Sequence, residues 1–187
     1  MKTSTLIAVV GLLLAGSLIG SAAFNVLTLE RSANLNVETD SSGILTLTPG
    51  ASPIVTTDGD GALTIDIANT GGTGVNVDSV LEIGDNSSAA AANSDPGFSV
   101  TNSDNIDHDI AFDYTLDVTD PDTNTENVNI YVYDGATLVA TISEDTGPQT
   151  VSTVTASSQL DVVVVTDTRG LDGNNDDLSG TLEIIAT

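Results

Sequence analysis

Tyr131-Val132-Tyr133-Asp134-Gly135-Ala136-Thr137-Leu138-Val139 reads as a β-hairpin, two β-prone runs with Asp-Gly at the corner between them. Further along, Val162-Val163-Val164-Val165 is continuously apolar instead of alternating, which predicts a central strand covered on both faces. Working outward from these two stretches, period-two alternation recurs along the chain. It predicts strands over residues 26–37, 43–48, 62–68, 75–83, 98–101, 110–118, 128–133, 137–142, 151–155, 160–166 and 182–186. Gly, Asn, Asp and Pro clusters separate them, among them Asp58-Gly59-Asp60-Gly61, Gly71-Gly72-Thr73-Gly74, Asp120-Pro121-Asp122 and Asp172-Gly173-Asn174-Asn175. Beyond the N-terminal segment no window sustains apolar residues at helical spacing. The alanine run 89–92, inside the low-complexity stretch 87–94, is expected to be a flexible loop. So many short strands fit one all-β domain, a jelly-roll-like β-sandwich over residues 39–187.

Composition narrows the function. The 187 residues carry 3 Lys+Arg against 27 Asp+Glu, a formal charge of −24, with no Cys and no Trp. A basic face for nucleic acid cannot be assembled from so few cations. Disulfides, thiolate catalysis and Cys-ligated zinc are excluded. High net charge often means disorder, but 40% hydrophobic content argues for a folded core.

The first 23 residues read as an export signal. Lys2 is followed by an apolar stretch over residues 6–19, and no further charge occurs before Glu30. Ser21-Ala22-Ala23 places small residues at the −3 and −1 positions, so cleavage is expected between Ala23 and Phe24. A retained membrane anchor is the alternative, because the uncharged stretch is long enough to span a bilayer. Cleavage removes 23 residues, Lys2 among them. The mature chain then has 164 residues, with Arg31 and Arg169 as its strong cations against 27 acids, a charge of −25. Such repulsion opposes folding at low salt and fades at molar salt, where the Debye length is about 3 Å. Acids scattered along the chain favour a salt-adapted surface over an acidic calcium-binding exoprotein.

Residues 24–38 form a segment of their own. Leu27, Leu29, Ala33, Leu35 and Val37 share one parity and Thr28, Glu30, Ser32, Asn34, Asn36 and Glu38 the other, so one face is apolar, interrupted by Arg31. Such a strand could be an edge of its own sandwich or could leave to fill a groove in a neighbouring molecule.

The run Ala22-Ala23-Phe24-Asn25 after the signal resembles the mature start of the TasA and camelysin family of exported β-sandwich proteins. Gly43-Ile44-Leu45-Thr46-Leu47 is similar to that family's Gly-Thr-Leu-aspartate-Leu strand. The C-terminal order also fits: an apolar strand over 160–165, an acidic Asn-rich loop over 172–177, then Leu178-Ser179-Gly180-Thr181-Leu182-Glu183-Ile184-Ile185. Residues 51–155 match only in strand density. The resemblance is to acidic, Cys-free haloarchaeal relatives, and it implies a jelly-roll subunit of an extracellular filament or biofilm fibre. Such subunits polymerise head to tail by donor-strand complementation, which makes the chain its own partner. Carried onto this sequence, the donor lies within residues 24–37, with Leu27, Leu29, Leu35 and Val37 filling the groove.

Catalytic patterns are weak. His108 is the sole His, flanked by Asp107 and Asp109, and is expected to be a solvated loop or strand-start residue. Neither Gly-x-Ser-x-Gly nor His-Glu-x-x-His occurs, so no enzyme is expected. Calcium is the more serious alternative. Asp172, Asn174, Asp176 and Glu183 stand at positions 1, 3, 5 and 12 of an EF-hand-like loop, but Asp177 replaces the glycine required at position 6 and Glu183 falls in a strand. Asp120, Asp122, Asn124 and Glu126 repeat the odd-position spacing without the terminal bidentate Glu. Asn86-Ser87-Ser88 is an N-glycosylation sequon on an expected loop. The rival to the filament subunit is thus a monomeric or membrane-anchored envelope module that binds calcium or glycan, the membrane entering only through an uncleaved signal.

Overall fold

A computed structural model divides the chain into two compact units, residues 1–36 and Val37–Thr187. It describes residues 42–66, 74–117, 126–172 and 176–187, all in the second unit. The expected cleavage site, the donor residues Leu27, Leu29, Leu35 and Val37, and the acidic turn with Asp120 and Asp122 lie outside the described residues.

The described chain is all-β, two antiparallel sheets and a small hairpin with one short helix. In order the elements are β1 (Leu45–Pro49), β2 (Val55–Thr57), β3 (Leu63–Ile65), β4 (Val80–Ile83), α1 (Ala89–Ser94), β5 (Phe98–Asn102), β6 (His108–Leu116), β7 (Val128–Asp134), β8 (Thr137–Ser143), β9 (Gln149–Val154), β10 (Gln159–Asp167) and β11 (Gly180–Ala186). The larger sheet runs β1-β5-β10-β7-β8, with β4 also paired to β10; the smaller runs β11-β6-β9; β2 and β3 pair with each other.

The apolar run 162–165 lies in the centre, as its sequence predicts. β10 pairs with β7 along one side; on the other it pairs with β5 through Gln159–Val162 and with β4 through Val164–Asp167. Its inward residues Leu160, Val162 and Val164 join Phe98, Val100, Ile130 and Val132 of the larger sheet and Ile110, Phe112 and Val151 of the smaller in one core. β4 and β5 meet end to end beside β10. At their junction Gly84 and Pro96 bridge, and Gly50 donates to the carbonyl of Gly97. A Cβ on Gly97 would stand 2.6 Å from the Ile83 carbonyl oxygen, and one on Gly50 1.9 Å from that of Pro96. Only glycine lets three backbones approach this closely.

The 131–139 hairpin also forms, with Gly135-Ala136 as the two loop residues and Asp134 closing against Thr137. Strands expected over 62–68 and 75–83 are cut to Leu63–Ile65 and Val80–Ile83. Asp78 takes a positive φ of 52°, and Ser79 is tied to Thr168 by backbone and side-chain bonds, so the chain turns there before it can pair.

The alanine run is a correction. It is helical, not a loop: the Ser88 hydroxyl accepts from the Ala91 N–H and caps the first turn, and Ala92 is fully buried against Tyr133 and Val163 on the outer face of the larger sheet. The helix also hides a carboxylate. Asp161, on that outer face of β10, is 1% exposed and accepts from Asn93 Nδ2 at 2.6 Å, Gln159 Nε2 at 2.7 Å and the Ser99 hydroxyl at 3.3 Å. An acid at an outward position of the sheet is therefore buried, because the helix covers it. Asp161→Ala leaves these donors unmatched under the helix, and the expected loss is about 2 kcal/mol of unfolding free energy. Urea denaturation measures it; a loss below about 0.5 kcal/mol, the scale of an ordinary surface change, would show that the network contributes little.

Candidate functional site: a cleft on the open side of the sandwich

Among the described residues the two sheets close on one side and stay open on the other. β8 and β9 follow each other in sequence and bring the sheets together at one edge. On the opposite side β1 ends one sheet and β11 the other, and a cleft of about 890 Å³, apolar on its inner walls and polar around them, lies between them. Ile83, Phe98, Ile130 and Val164 of the larger sheet form its inner wall; Tyr114, Leu182 and Ile184 of the smaller face them. Leu47, Leu63 and Leu178 are half-buried around it, and Ile65 and Val77 stand exposed at the rim.

The edge of β11 adjoins this cleft. Asp109 and Thr187 exchange both backbone bonds, at 3.1 and 2.9 Å, and Asp117 N–H donates to Ser179 C=O at 2.9 Å. With the register that pairs Gly180 with Leu116 through Ala186 with Ile110, odd-numbered residues of β11 bond to β6. Alternation in an antiparallel ladder then turns the N–H and C=O of Leu182, Ile184 and Ala186 to the outer edge. Among the described residues no strand occupies that edge. The same residues point their side chains to the core side, so a strand added here would gain backbone bonds and apolar cover together.

Tyr114 and Gly180 shape the start of β11. The Tyr114 hydroxyl donates to Leu178 C=O at 2.7 Å, and burial, reinforced by the carboxylates of Glu144, Asp117 and Asp177, pushes its pKa up to about 12. A Cβ on Gly180 would stand 2.6 Å from that hydroxyl oxygen and 2.5 Å from the Thr115 carbonyl oxygen.

The carboxylates serve mostly as turn acceptors. Asp58 accepts from the N–H groups of Asp60 and Ala62, both at 2.9 Å; Asp107 accepts from Ala156 and Asp109 from Thr153. The last two hold the end of β9 and the loop after it, where Thr153 and Ser157 adopt positive φ. Asp85 and Asp177 are drawn below the usual carboxylate range by the Ser87 and Ser179 side chains, respectively, that donate to them. Arg169 clasps Asp167 through Nε at 2.9 and 3.0 Å, lowering its pKa to about 2.

His108 begins β6 as expected, but it is not solvated. Its side chain is 14% exposed and its Nε2 lies 2.9 Å from Asp104, whose pKa the contact lowers. The flanking acids Asp107 and Asp109 are committed to backbone amides, and among the described residues no nucleophile is hydrogen-bonded to the ring. Of the calcium candidates, Asp172 and Asp176 are adjacent in one turn, and Asp120 and Asp122 lie outside the described residues. Asp176 accepts from the Asp172 N–H at 2.6 Å, Asn174 lies outside the described residues, and Glu183 sits on β11 directly opposite Asp113. Among the described residues no three acids or histidines cluster as a metal site would require. Asn86 is half-buried, and its Oδ1 accepts from the Tyr133 hydroxyl.

No family model, characterised protein or solved structure matches this chain.

Two outcomes follow from this geometry. Because Tyr114 is neutral in the fold to about pH 12, its contribution to stability is complete below about pH 10 and disappears as pH rises from about 10 to about 12. A tyrosinate absorbance titration should show one of the three tyrosines ionising last, and Gly180→Ala should bring that step down; a single common step near pH 10 would contradict the buried phenol. On the outer face, Glu183 and Asp113 form a like-charge cross-strand pair. Glu183→Lys should stabilise the protein by about 0.5 kcal/mol at low salt, and the gain should vanish in molar salt. Thermal melts at two ionic strengths decide it.

Proposed function

We propose that the chain is the subunit of an extracellular filament or matrix fibre, a jelly-roll-like sandwich that polymerises by donating residues 24–37 to a neighbour. The observation that carries this reading is the cleft with apolar inner walls beside the edge of β11, which no other strand among the described residues covers. Its two faces match the two properties of the donor segment: backbone groups for strand pairing, and an apolar row to fill the space between the sheets. Leu27, Leu29, Leu35 and Val37 supply that row. The resemblance to exported TasA- and camelysin-like proteins supports the same reading, as does the signal-peptide pattern ahead of Phe24.

Head-to-tail donation is a heterologous contact and generates an open polymer when its rotation does not close a ring. It requires no catalytic group, cofactor or nucleic acid. Cleavage after Ala23 frees the donor and releases the protein to the cell surface; without it the membrane would hold the segment.

Negative-stain microscopy and sedimentation of the secreted protein, with and without residues 24–37, test this. Filaments should form from the full mature chain. The shortened chain should stay soluble and folded, with lower thermal stability because its cleft is unfilled. Filaments from the shortened chain would refute donation by this segment.

A further inference from the structure

Asn86 opens the sequon Asn86-Ser87-Ser88, and no other asparagine of the chain has Ser or Thr two positions on. A tripeptide this short recurs by chance, so the surroundings of the side chain carry the argument. It lies in the loop that joins β4 to α1, with Ser87 and Ser88 exposed beside it. The loop is held: the Asn86 N–H donates to Glu82, the Ser87 N–H donates to Asp85 at 2.9 Å, and the Ser88 hydroxyl caps α1. The two ends of the half-buried Asn86 carboxamide then differ. Oδ1 accepts from the hydroxyl of Tyr133, whose ring is buried against Ala92 and Val163. Nδ2, the atom that a sugar would occupy, donates to nothing among the described residues. Asn93, Asn102, Asn127 and Asn129, by contrast, all donate from Nδ2.

We propose that Asn86 is glycosylated, with the sugar on Nδ2 standing on the α1 side of the larger sheet. The inference rests on the export reading of residues 1–23 and is independent of strand donation. Its co-reactant is a glycosyl phosphate. The bond from the anomeric carbon to Nδ2 forms, and that carbon's bond to the phosphate oxygen breaks. The phosphate leaves with the bonding pair, and Nδ2 gives up one proton. A carboxamide substituted on nitrogen keeps its carbonyl lone pairs, so the bond from Tyr133 to Oδ1 survives the modification. Residues 84–97 contribute nothing to the lining of the cleft. A sugar on Asn86 therefore leaves that lining free, and it adds solvation to an acidic protein without adding charge.

Mass spectrometry of the chain recovered from outside the cells that produce it tests this. Its mass should exceed that of the polypeptide by a sugar chain, and peptide mapping should place the excess on Asn86. Asn86→Gln and Ser88→Asp should each lose the excess completely, whereas Ser88→Thr, which restores the sequon, should keep it. Aspartate caps a helix about as well as serine, so the loss in Ser88→Asp reports the sequon and not the start of α1. Deleting residues 24–37 should leave the sugar in place, which separates this inference from strand donation. A secreted chain bare at Asn86 would overturn the inference and leave export standing. A chain found only inside the cell would overturn export, and the inference with it. An excess mass that survives both Asn86→Gln and Ser88→Asp would place the sugar on another residue and overturn the assignment.

Discussion

The fold depends on β10 being buried on both faces. A strand with hydrogen-bonded neighbours on both sides can shed water completely only if something covers its second face, and here α1 does so. Leu160, Val162 and Val164 close the sandwich core, while Val163 packs outward against Ala92 and Tyr133. The alternation of side chains therefore still operates in a continuous apolar run, with a different partner on each side. Asp161 fits this frame because Asn93, Gln159 and Ser99 bring donors to it; an unmatched carboxylate at that depth would cost more than the helix contributes.

The acid excess is more than a surface property. Aspartate outnumbers glutamate by 21 to 6, and the bonds give a reason: a short carboxylate reaches backbone N–H groups two to four residues away or across a turn. Asp58, Asp85, Asp167 and Asp177 do this locally, and Asp78, Asp107 and Asp109 do it across long separations in sequence. The longer glutamates do the same at two places, Glu82 accepting from the Asn86 N–H and Glu144 from those of Asn127 and Val128. Charge that reads in the composition as solvation is thus partly the chemistry that ends and joins the strands.

Much of the fold was legible because its signals are local. The 131–139 hairpin, the central run 162–165 and the alternation in 110–118 each state their structure within a few residues. What was hidden is tertiary. The helix is six residues long, too short for periodicity to register, and it is fixed by burial of Ala92. The strand expected over 75–83 is shortened by bonds to Thr168, distant in sequence. His108 looked solvated because its flanking residues are acids, yet its partner is Asp104, four positions back. Asp161 looked like any outward acid because nothing in its neighbourhood announces the helix above it. The cleft had no sequence signature at all: it follows from which sheet edge lacks a neighbour among the described residues, a property of strand order.

Among the described residues that edge is unusual in its lack of protection. Proteins blunt exposed edge strands with lysine, proline, bulges or extreme shortness. β11 has none of these: it spans seven residues, keeps an unbroken register against β6, and bears a single charge, Glu183. That one acid points to the outer face, away from the cleft, and so does not guard the row of Leu182, Ile184 and Ala186. In concentrated salt the repulsion that keeps acidic surfaces apart is screened within a few ångströms, while apolar burial and backbone pairing keep their strength. A regular edge that no described strand covers, beside a cleft with apolar inner walls, is then a place where a strand of matching pattern gains both terms at once.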